Sequence, residues 1–292
     1  MTLPRAALIA RLSPPAALDA LRDAAHWLEA HGSAPVIERD SARAAGLDAR
    51  FQTSAREAIA EGVDVVIAFG GDGTLLGAAS AVAQSAFDAP LMGINLGRLG
   101  FLTEVGRADL ISALEALVSG RTQIETRLML TGRLLRGGQV VTERMALNDI
   151  VITRGALSRM IEIDVDVDGQ FVCHVKADGL IVATATGSTA YNLSAGGPIV
   201  HPSVDACVLT PIAPHALSNR PLVLPATAVI SLKPIIEPQS DLVVTIDGQT
   251  GLPLAAEDVV QISRASRVLS LLHVTPRTHF DMLREKLKWG SS

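Results

Sequence analysis

Short apolar runs alternate with amphipathic segments along the N-terminal part of the chain. Val63–Phe69 and Leu91–Asn95 have the length and composition of buried strands. Ala16–His31 and Ala108–Ser119 carry apolar residues at helical spacing. Strands that alternate with helices are typical of a parallel, doubly wound sheet. We therefore predict a Rossmann-like α/β domain with a parallel sheet over residues 1–123.

The pattern changes in the second part of the chain. Ile161–Val167 alternates apolar and acidic residues, the period of a half-exposed strand, and Asp168-Gly169 is a hairpin signal. Further short strands are predicted at Asp241–Asp247, Asp258–Ser263 and Val268–Val274. This spacing predicts an all-β, sandwich-like domain over residues 124–275. A short amphipathic helix is predicted at Phe280–Trp289, within a C-terminal tail of residues 276–292.

Composition and charge narrow the class of protein. The chain has 292 residues, of which 48% are hydrophobic and 19% charged, so it can bury a sizeable core. The net charge of −5 and the lack of a long basic block argue against nucleic acid and anionic membranes as partners. Cys173 and Cys207 form no CxxC pair, so neither a disulfide framework nor a cysteine zinc site is expected. No apolar stretch reaches the roughly 18 residues of a membrane span, and we expect a soluble cytoplasmic protein.

The most informative segment is the glycine loop that follows the strand Val63–Phe69. The sequence predicts a turn from a strand into a helix at Gly70-Gly71-Asp72-Gly73. Such a turn offers backbone amides and a helix N-terminus to a phosphate. A carboxylate repels phosphate, so Asp72 indicates either chemistry beside a reacting phosphate or an ordinary N-terminal helix cap.

Polar residues also interrupt apolar strands farther along the chain. Asn148-Asp149 stands before an apolar run, where its polar atoms need partners; the pair suits a base edge and a ribose diol, or marks a bulge. In Asp178–Pro198 a strand leads into a turn rich in Gly, Ser and Thr. Tyr191, the single tyrosine of the chain, suits stacking on a flat ring or packing in a core.

Taken in order, these segments resemble the ATP-dependent NAD kinases. The motifs of that family match Gly70–Gly73, Asn95–Phe101, Asn148-Asp149, Asp178–Pro198 and Pro214–Pro221. The glycine loop is shared with related lipid and sugar kinases, whereas the long segment Asp178–Pro198 makes the resemblance specific.

The resemblance implies transfer of the γ-phosphoryl group of ATP, or of inorganic polyphosphate, to the 2′-hydroxyl of the adenosine ribose of NAD. It assigns Asp72 as the general base. The amides of Gly71 and Gly73 would hold phosphates, with Mg²⁺ or another divalent cation carried by the nucleotide and not by fixed protein ligands. It also implies a homodimer or homotetramer.

For the dinucleotide, the resemblance assigns Asn148 and Asp149 to the adenosine part of NAD and Asp178 to the nicotinamide part. The remaining nucleotide-binding positions that it assigns are Lys176, Thr189, Ala190, Tyr191, Asn192, Leu193, Ser194 and Gln249. Two positions depart from the family pattern. Asp149 replaces the usual Glu and reaches about one methylene less, and Lys176 replaces Arg or Gly, which leaves the choice between NAD and NADH open.

Two alternatives to an NAD kinase follow from the same residues. A lipid kinase of the diacylglycerol or sphingosine type would share the glycine loop but has no use for the segment Asp178–Pro198. A non-catalytic dinucleotide sensor would keep the pocket, but binding alone gains nothing from a carboxylate such as Asp72 near phosphates.

Overall fold

The structure is a computed structural model that describes residues 4–97, 99–155, 160–216, 218–235 and 241–289. Arg98 and Leu217, which belong to two of the motifs above, lie outside the described residues. The chain forms two compact units: Met1–Thr126 with Leu269–Ser292, and Arg127–Val268. We call these the first and the second unit.

The first unit is built from alternating strands and helices. Its strands in the N-terminal part are β1 (Ala6–Ala10), β2 (Val36–Glu38), β3 (Gln52–Ser54), β4 (Val65–Phe69), β5 (Leu91–Asn95) and β6 (Val105–Gly106). Its helices there are α1 (Pro15–Ala30), α2 (Arg39–Ala45), α3 (Asp72–Gln84) and α4 (Leu110–Val118). Strands β1 to β5 form a parallel sheet in the order β3-β2-β1-β4-β5. The predicted α/β fold with a parallel sheet is confirmed.

Helices cover both faces of this sheet, which explains why its central strands are continuous apolar runs. Leu8, Ile67 and Met92 belong to a core cluster that includes residues of α1, α2 and α4. The opposite face carries Gly93, where an added Cβ would lie 2.7 Å from Leu75 of α3. Each central strand therefore buries both sets of its alternating side chains.

The strand order positions the glycine loop. The sheet changes direction of winding between β1 and β4, and ligands of such sheets bind outside the carboxyl ends of the strands at this point. Strand β4 ends at Phe69, directly before Gly70 and Gly71. The candidate phosphate loop thus lies where this kind of sheet binds its ligands.

The second unit is β-rich. Its elements are β7 (Gln123–Arg136), β8 (Gln139–Ala146), β9 (Asp149–Arg154), β10 (Ile161–Val167), β11 (Gln170–Ala177), β12 (Gly179–Thr184), α5 (Tyr191–Ser194), β13 (Ala206–Ile212), β14 (Leu222–Pro225), β15 (Ile230–Ile235), β16 (Leu242–Ile246), β17 (Thr250–Pro253) and β18 (Val259–His273). Strands β7 and β18 continue along the chain into the first unit, which also holds α6 (His279–Leu287).

Strands of the second unit pack face to face. One sheet has the order β14-β13-β12-β9-β16-β17, and β11-β10-β15-β18 are hydrogen-bonded neighbours in another. Inward-facing residues of both form one core; Ile152 and Val182 come from the first sheet and Ile163 and Leu232 from the second. The predicted sandwich-like arrangement of a β-rich domain is confirmed.

Two predicted elements differ from the observed ones. Asp258–Ser263 and Val268–Val274 are predicted as separate strands, but β18 runs without a break. The buried positions of β18 change phase between Ile262 and Ala265, so the alternation on which the prediction rests is interrupted while the strand continues. The tail helix ends at Leu287, two residues before the predicted end, because Lys288 adopts a left-handed φ of 56°.

An ion pair fixes the start of β18 in the second unit. The Asp258 carboxylate is buried and accepts from Nε and Nη2 of Arg136 at 2.8 and 2.7 Å, and also from the Ala255 amide. The hydrogen bond from Arg136 holds the pKa of Asp258 below its ordinary value. The pair therefore stabilises the fold at pH values where the carboxyl is ionised in the unfolded chain.

We expect Asp258→Asn to lower the thermal midpoint at pH 7 by about 4 °C or more, since a buried carboxylate loses its charged contact with the part-exposed Arg136 guanidinium. Because the folded pKa is depressed, this difference should shrink as the pH falls below about 4. Glu143→Gln is the control: it removes the exposed pair with Arg133 at 2.5 Å and should shift the midpoint by less than about 2 °C. Equal shifts for both variants, measured by calorimetry, would contradict a stabilising role for the Asp258 pair.

Candidate active site

The Asp72 carboxylate is held by the backbone of a second loop in the same unit. Its Oδ2 accepts from the Phe101 amide at 2.7 Å, and its Oδ1 accepts from the amides of Leu102 and Thr103 at 3.2 and 3.0 Å. The Thr103 hydroxyl donates to Oδ1 at 2.8 Å. Asp72 is the first residue of α3, whose N-cap is Gly71, and it makes no capping hydrogen bond. The interpretation of Asp72 as a helix cap is therefore wrong.

Gly100 makes this arrangement possible. A Cβ at Gly100 would lie 1.7 Å from Asp72 Oδ1 and 2.5 Å from the Thr103 hydroxyl. Thr103 is fully buried and its hydroxyl also accepts from the side-chain amide of Asn95 at 2.7 Å. Phe101, the last residue of the motif Asn95–Phe101, and the two residues that follow it thus orient Asp72.

Gly71 and Gly73 have a different reason to be glycine. Neither has a positive φ, and an added Cβ would meet nothing within 4 Å at either position. Backbone conformation and packing therefore do not require glycine here. Bare backbone at the start of a helix leaves amide groups without intrahelical acceptors and allows a ligand to approach them closely.

In the second unit, hydrogen bonds with two residues, Asp247 and Thr184, hold the backbone of Leu147–Asp149. The Asp247 carboxylate accepts from the amides of Leu147, Asn148 and Asp149 at 2.8, 2.7 and 3.1 Å. The Thr184 hydroxyl donates to the Leu147 carbonyl at 2.6 Å, and the Thr184 amide donates to the Asn148 carbonyl at 2.8 Å.

Gly187, which belongs to the motif Asp178–Pro198, packs against the same backbone segment. A Cβ at this position would lie 2.0 Å from the carbonyl oxygen of Asn148. The turn after β12 can therefore pack directly on the peptide of Asn148 only because residue 187 is glycine. The two motifs, Asn148-Asp149 and Asp178–Pro198, are therefore in direct contact.

Asn148 and Asp149 face a cavity of about 470 Å³. The residues that line it are Asn148, Asp149, Val151, Thr153, Ala190, Tyr191, Thr245, Asp247 and Gly248. The structure thus brings together four of the predicted site residues, namely Asn148, Asp149, Ala190 and Tyr191. Tyr191 is 44% exposed, which excludes the alternative of a core tyrosine.

Asp149 is a buried carboxylate, 5% exposed, and no described residue donates a hydrogen bond to its side chain. Burial, and second the charge of Asp247, raise the pKa of Asp149 to about 7. Burial also raises the pKa of Asp247, but the three backbone amides oppose this shift by stabilising its ionised form. A buried carboxyl without protein donors is suited to accept hydrogen bonds from ligand hydroxyls.

Sequence reasoning missed Asp247, Thr184 and Gly187 as parts of this site. The sequence prediction placed Asp247 at the end of a strand, although Asp247-Gly248 is the same turn signal as Asp168-Gly169, and both Asp247 and Gly248 have positive φ. That signal predicts a turn but not which backbone the carboxylate binds.

The other predicted binding residues lie outside the cavity lining. Asn192 is fully buried; its amide nitrogen donates to the carbonyls of Ser188 and Pro198, and its oxygen accepts from Thr210 at 2.6 Å. Its side chain therefore stabilises the turn around α5. The predicted binding residues of the second unit that do not line the cavity are Lys176, Asp178, Thr189, Asn192, Leu193, Ser194 and Gln249.

Lys176 and Asp178 carry ion pairs on the second unit. The Lys176 ammonium group donates to Glu162 at 2.5 Å, and Asp178 accepts from Arg154 at 2.9 Å. Both side chains are part-exposed, so these contacts can exchange for a ligand at little cost.

Among the described residues, no three His, Cys, Asp or Glu side chains lie together so as to hold a metal ion. No helix in the described part of the chain is long and apolar enough to cross a membrane.

Comparison with known proteins identifies the family of the chain. The family model of the ATP-NAD kinase N-terminal domain matches residues 8–122, and that of the C-terminal domain matches residues 147–274. The chain belongs to the NAD kinase family. The members of this family are phosphotransferases that make NADP from NAD.

Relatives of the NAD kinase family match nearly the whole chain. The NAD kinase of Citrifermentans bemidjiense is 41% identical over 97% of this chain and 98% of its own length. That of Syntrophotalea carbinolica is 43% identical over 98% of this chain and 99% of its own. A crystal structure of yeast NADH kinase complexed with NADH has a TM-score of 0.90 at 25% identity, covering 100% of this chain and 89% of that one.

The loop that holds Asp72 offers a matched pair of glycines for a test. Gly100→Ala should displace the Asp72 carboxylate, because the new methyl group would lie 1.7 Å from Oδ1. We expect a lower thermal midpoint and faster hydrogen exchange at the amides of residues 101–103. Gly97→Ala is the control, since nothing lies within 4 Å of its Cβ. Unchanged exchange at these amides in Gly100→Ala would show that the carboxylate does not protect them.

Proposed function

We propose that this protein phosphorylates the 2′-hydroxyl of the adenosine ribose of NAD with the γ-phosphoryl group of ATP, and forms NADP. The observation that carries the proposal is the cavity of the second unit, where Asn148 and the buried, donor-free carboxyl of Asp149 face Tyr191. An amide, a carboxylate and an aromatic ring are the groups that recognise a base edge, a ribose diol and a flat ring.

Asp72 is the proposed general base. Its Oδ1 accepts three hydrogen bonds, whereas its Oδ2 accepts one, from the Phe101 amide, so Oδ2 retains a lone pair. In the proposed step this oxygen takes the proton of the ribose 2′-hydroxyl. The ribose oxygen then forms its bond to the γ-phosphorus while the bond from that phosphorus to the leaving oxygen of ADP breaks.

The phosphates of the donor are proposed to bind the amides of Gly71 and Gly73 at the start of α3. Both positions have the open space that such binding needs. We propose Mg²⁺ or another divalent cation as the cofactor, held by nucleotide phosphates. When bound, the cation neutralises charge that develops on the phosphates in the transition state.

We also propose which part of the chain binds each substrate and how the protein assembles. Residues 1–123 with the tail 276–292 carry the phosphoryl-transfer loop, and residues 124–275 carry the NAD pocket. Lys176, Asp178 and Gln249 contact the rest of the dinucleotide, for which the part-exposed side chains of Lys176 and Asp178 are accessible. The protein works in the cytoplasm as a homodimer or homotetramer, and polyphosphate is a candidate second donor.

A panel of donors and acceptors tests the proposed function. ATP with NAD should give NADP, detected by an NADP-specific dehydrogenase, whereas ATP with diacylglycerol or sphingosine should give no phosphorylated lipid. GTP and polyphosphate in place of ATP, and NADH in place of NAD, define the substrate range in the same assay. Lipid phosphorylation without NADP formation would contradict the proposal, and NAD binding without turnover would indicate a sensor.

Asp72→Asn should lower kcat by about 10²–10⁴, the usual contribution of a general base. Because the same carboxylate also holds residues 101–103, a control must separate the two roles. Thr103→Val removes the hydroxyl donor at 2.8 Å but keeps the carboxylate, and its kcat should stay within about tenfold of wild type. Steady-state kinetics of both variants are the measurement. Similar losses in both would assign Asp72 to holding the loop and not to proton transfer.

A further inference from the structure

The carboxylate of Asp247 lies in the wall of the NAD cavity. Among the described residues, only backbone amides donate hydrogen bonds to it. Its Oδ1 accepts from the amides of Asn148 and Asp149, and its Oδ2 accepts from that of Leu147. In return the Asp247 amide donates to the Asp149 carbonyl at 2.9 Å. Asp247 is 9% exposed and has a left-handed φ of 50°, so its side chain is built into the turn after β16.

The position of this carboxylate is costly for the fold. It lies beside a second buried carboxyl, that of Asp149, and no Lys, Arg or His is among the residues that line the cavity. An asparagine or serine at this position would fix a turn without bringing a second negative charge to a buried site. Asp247 instead accepts hydrogen bonds from three successive backbone N–H groups. These bonds fix the path of Leu147–Asp149 between the end of β8 and the start of β9.

We propose that Asp247 is a positioning residue for the phosphoryl acceptor: it fixes the Leu147–Asp149 backbone so that the side chains of Asn148 and Asp149 face the adenosine ribose. This inference rests on the proposed function, because it assigns Asp247 to the acceptor pocket of that reaction. Asp247 acts through the backbone and not through a contact with NAD. Its removal therefore affects binding of the acceptor and leaves binding of ATP unchanged.

Asp247 also affects the protonation of Asp149. The titratable groups in the cavity lining are Asp149, Asp247 and Tyr191. The negative charge of Asp247 contributes to the raised pKa of Asp149, so Asp149 is mainly protonated below about pH 7 and ionised above it. Loss of that charge lowers the pH at which Asp149 ionises. The pH dependence of KM for NAD should then move to lower pH.

The test compares Asp247→Asn with Asp168→Asn in the NADP-forming assay. Asp168 is a matched control: it also precedes a glycine in a turn, has a φ of 52°, and accepts from the Val229 amide at 2.9 Å, but it is exposed and is not among the residues that line the cavity. We expect Asp247→Asn to raise KM for NAD about tenfold or more, with KM for ATP unchanged and kcat within about threefold. Its pH profile should shift to lower pH, and Asp168→Asn should behave as wild type.

Several outcomes would overturn the proposal. KM for NAD within twofold of wild type in Asp247→Asn, or equal increases in both KM values, would show that Asp247 does not position the acceptor site. If that variant does not fold, Thr184→Val releases the same backbone more mildly: it removes the bond from the Thr184 hydroxyl to the Leu147 carbonyl and the bond that this hydroxyl accepts from the Gly187 amide. It should raise KM for NAD about threefold or more and leave KM for ATP unchanged, and an unchanged KM for NAD would overturn the proposal. A wild-type protein without NADP formation would reject the proposed function and with it this inference, whereas an active wild type together with an unchanged KM for NAD in Asp247→Asn would reject this inference alone.

Discussion

A carboxylate that accepts three successive backbone N–H groups organises the candidate site in each unit. In the first unit Asp72 holds the amides of residues 101–103, and in the second Asp247 holds those of residues 147–149. Amides in loops and at the ends of strands often have no partner in regular secondary structure, and leaving them unpaired in a buried site is costly. One charged side chain satisfies three of them and at the same time fixes the course of the loop.

The carboxylates of Asp247 and Asp72 have different proposed roles. Asp247 is buried, and its proposed role is to fix the backbone that carries Asn148 and Asp149. Asp72 is only half-buried, and one of its oxygens accepts a single hydrogen bond, which leaves that oxygen available for a proton. Glycine is needed beside two of these bonded segments, because a side chain at Gly100 would overlap Asp72 and one at Gly187 would overlap Asn148. The motifs are thus linked by steric constraint as well as by chemistry.

Local patterns in the sequence predicted much of the fold and part of the site. Continuous apolar strands identified the parallel sheet, and the alternation in Ile161–Val167 identified a half-exposed strand. The pair Asn148-Asp149 and Tyr191 were found by their chemistry and share one cavity. The partners of these residues could not be found in this way, because the Asp247–Asn148 and Asp72–Thr103 contacts join segments 99 and 31 positions apart. The unbroken strand β18 was missed because its buried face changes phase.

Two-dimensional ¹H–³¹P NMR of the dinucleotide product formed from NAD, ATP and Mg²⁺ tests the proposed reaction most directly. We expect one new phosphorus resonance, coupled to the 2′ proton of the adenosine ribose, because Asn148 and Asp149 are proposed to hold that ribose as the acceptor. A phosphate on the 3′-oxygen or on the nicotinamide ribose, or the lack of any phosphorylated dinucleotide, would contradict it.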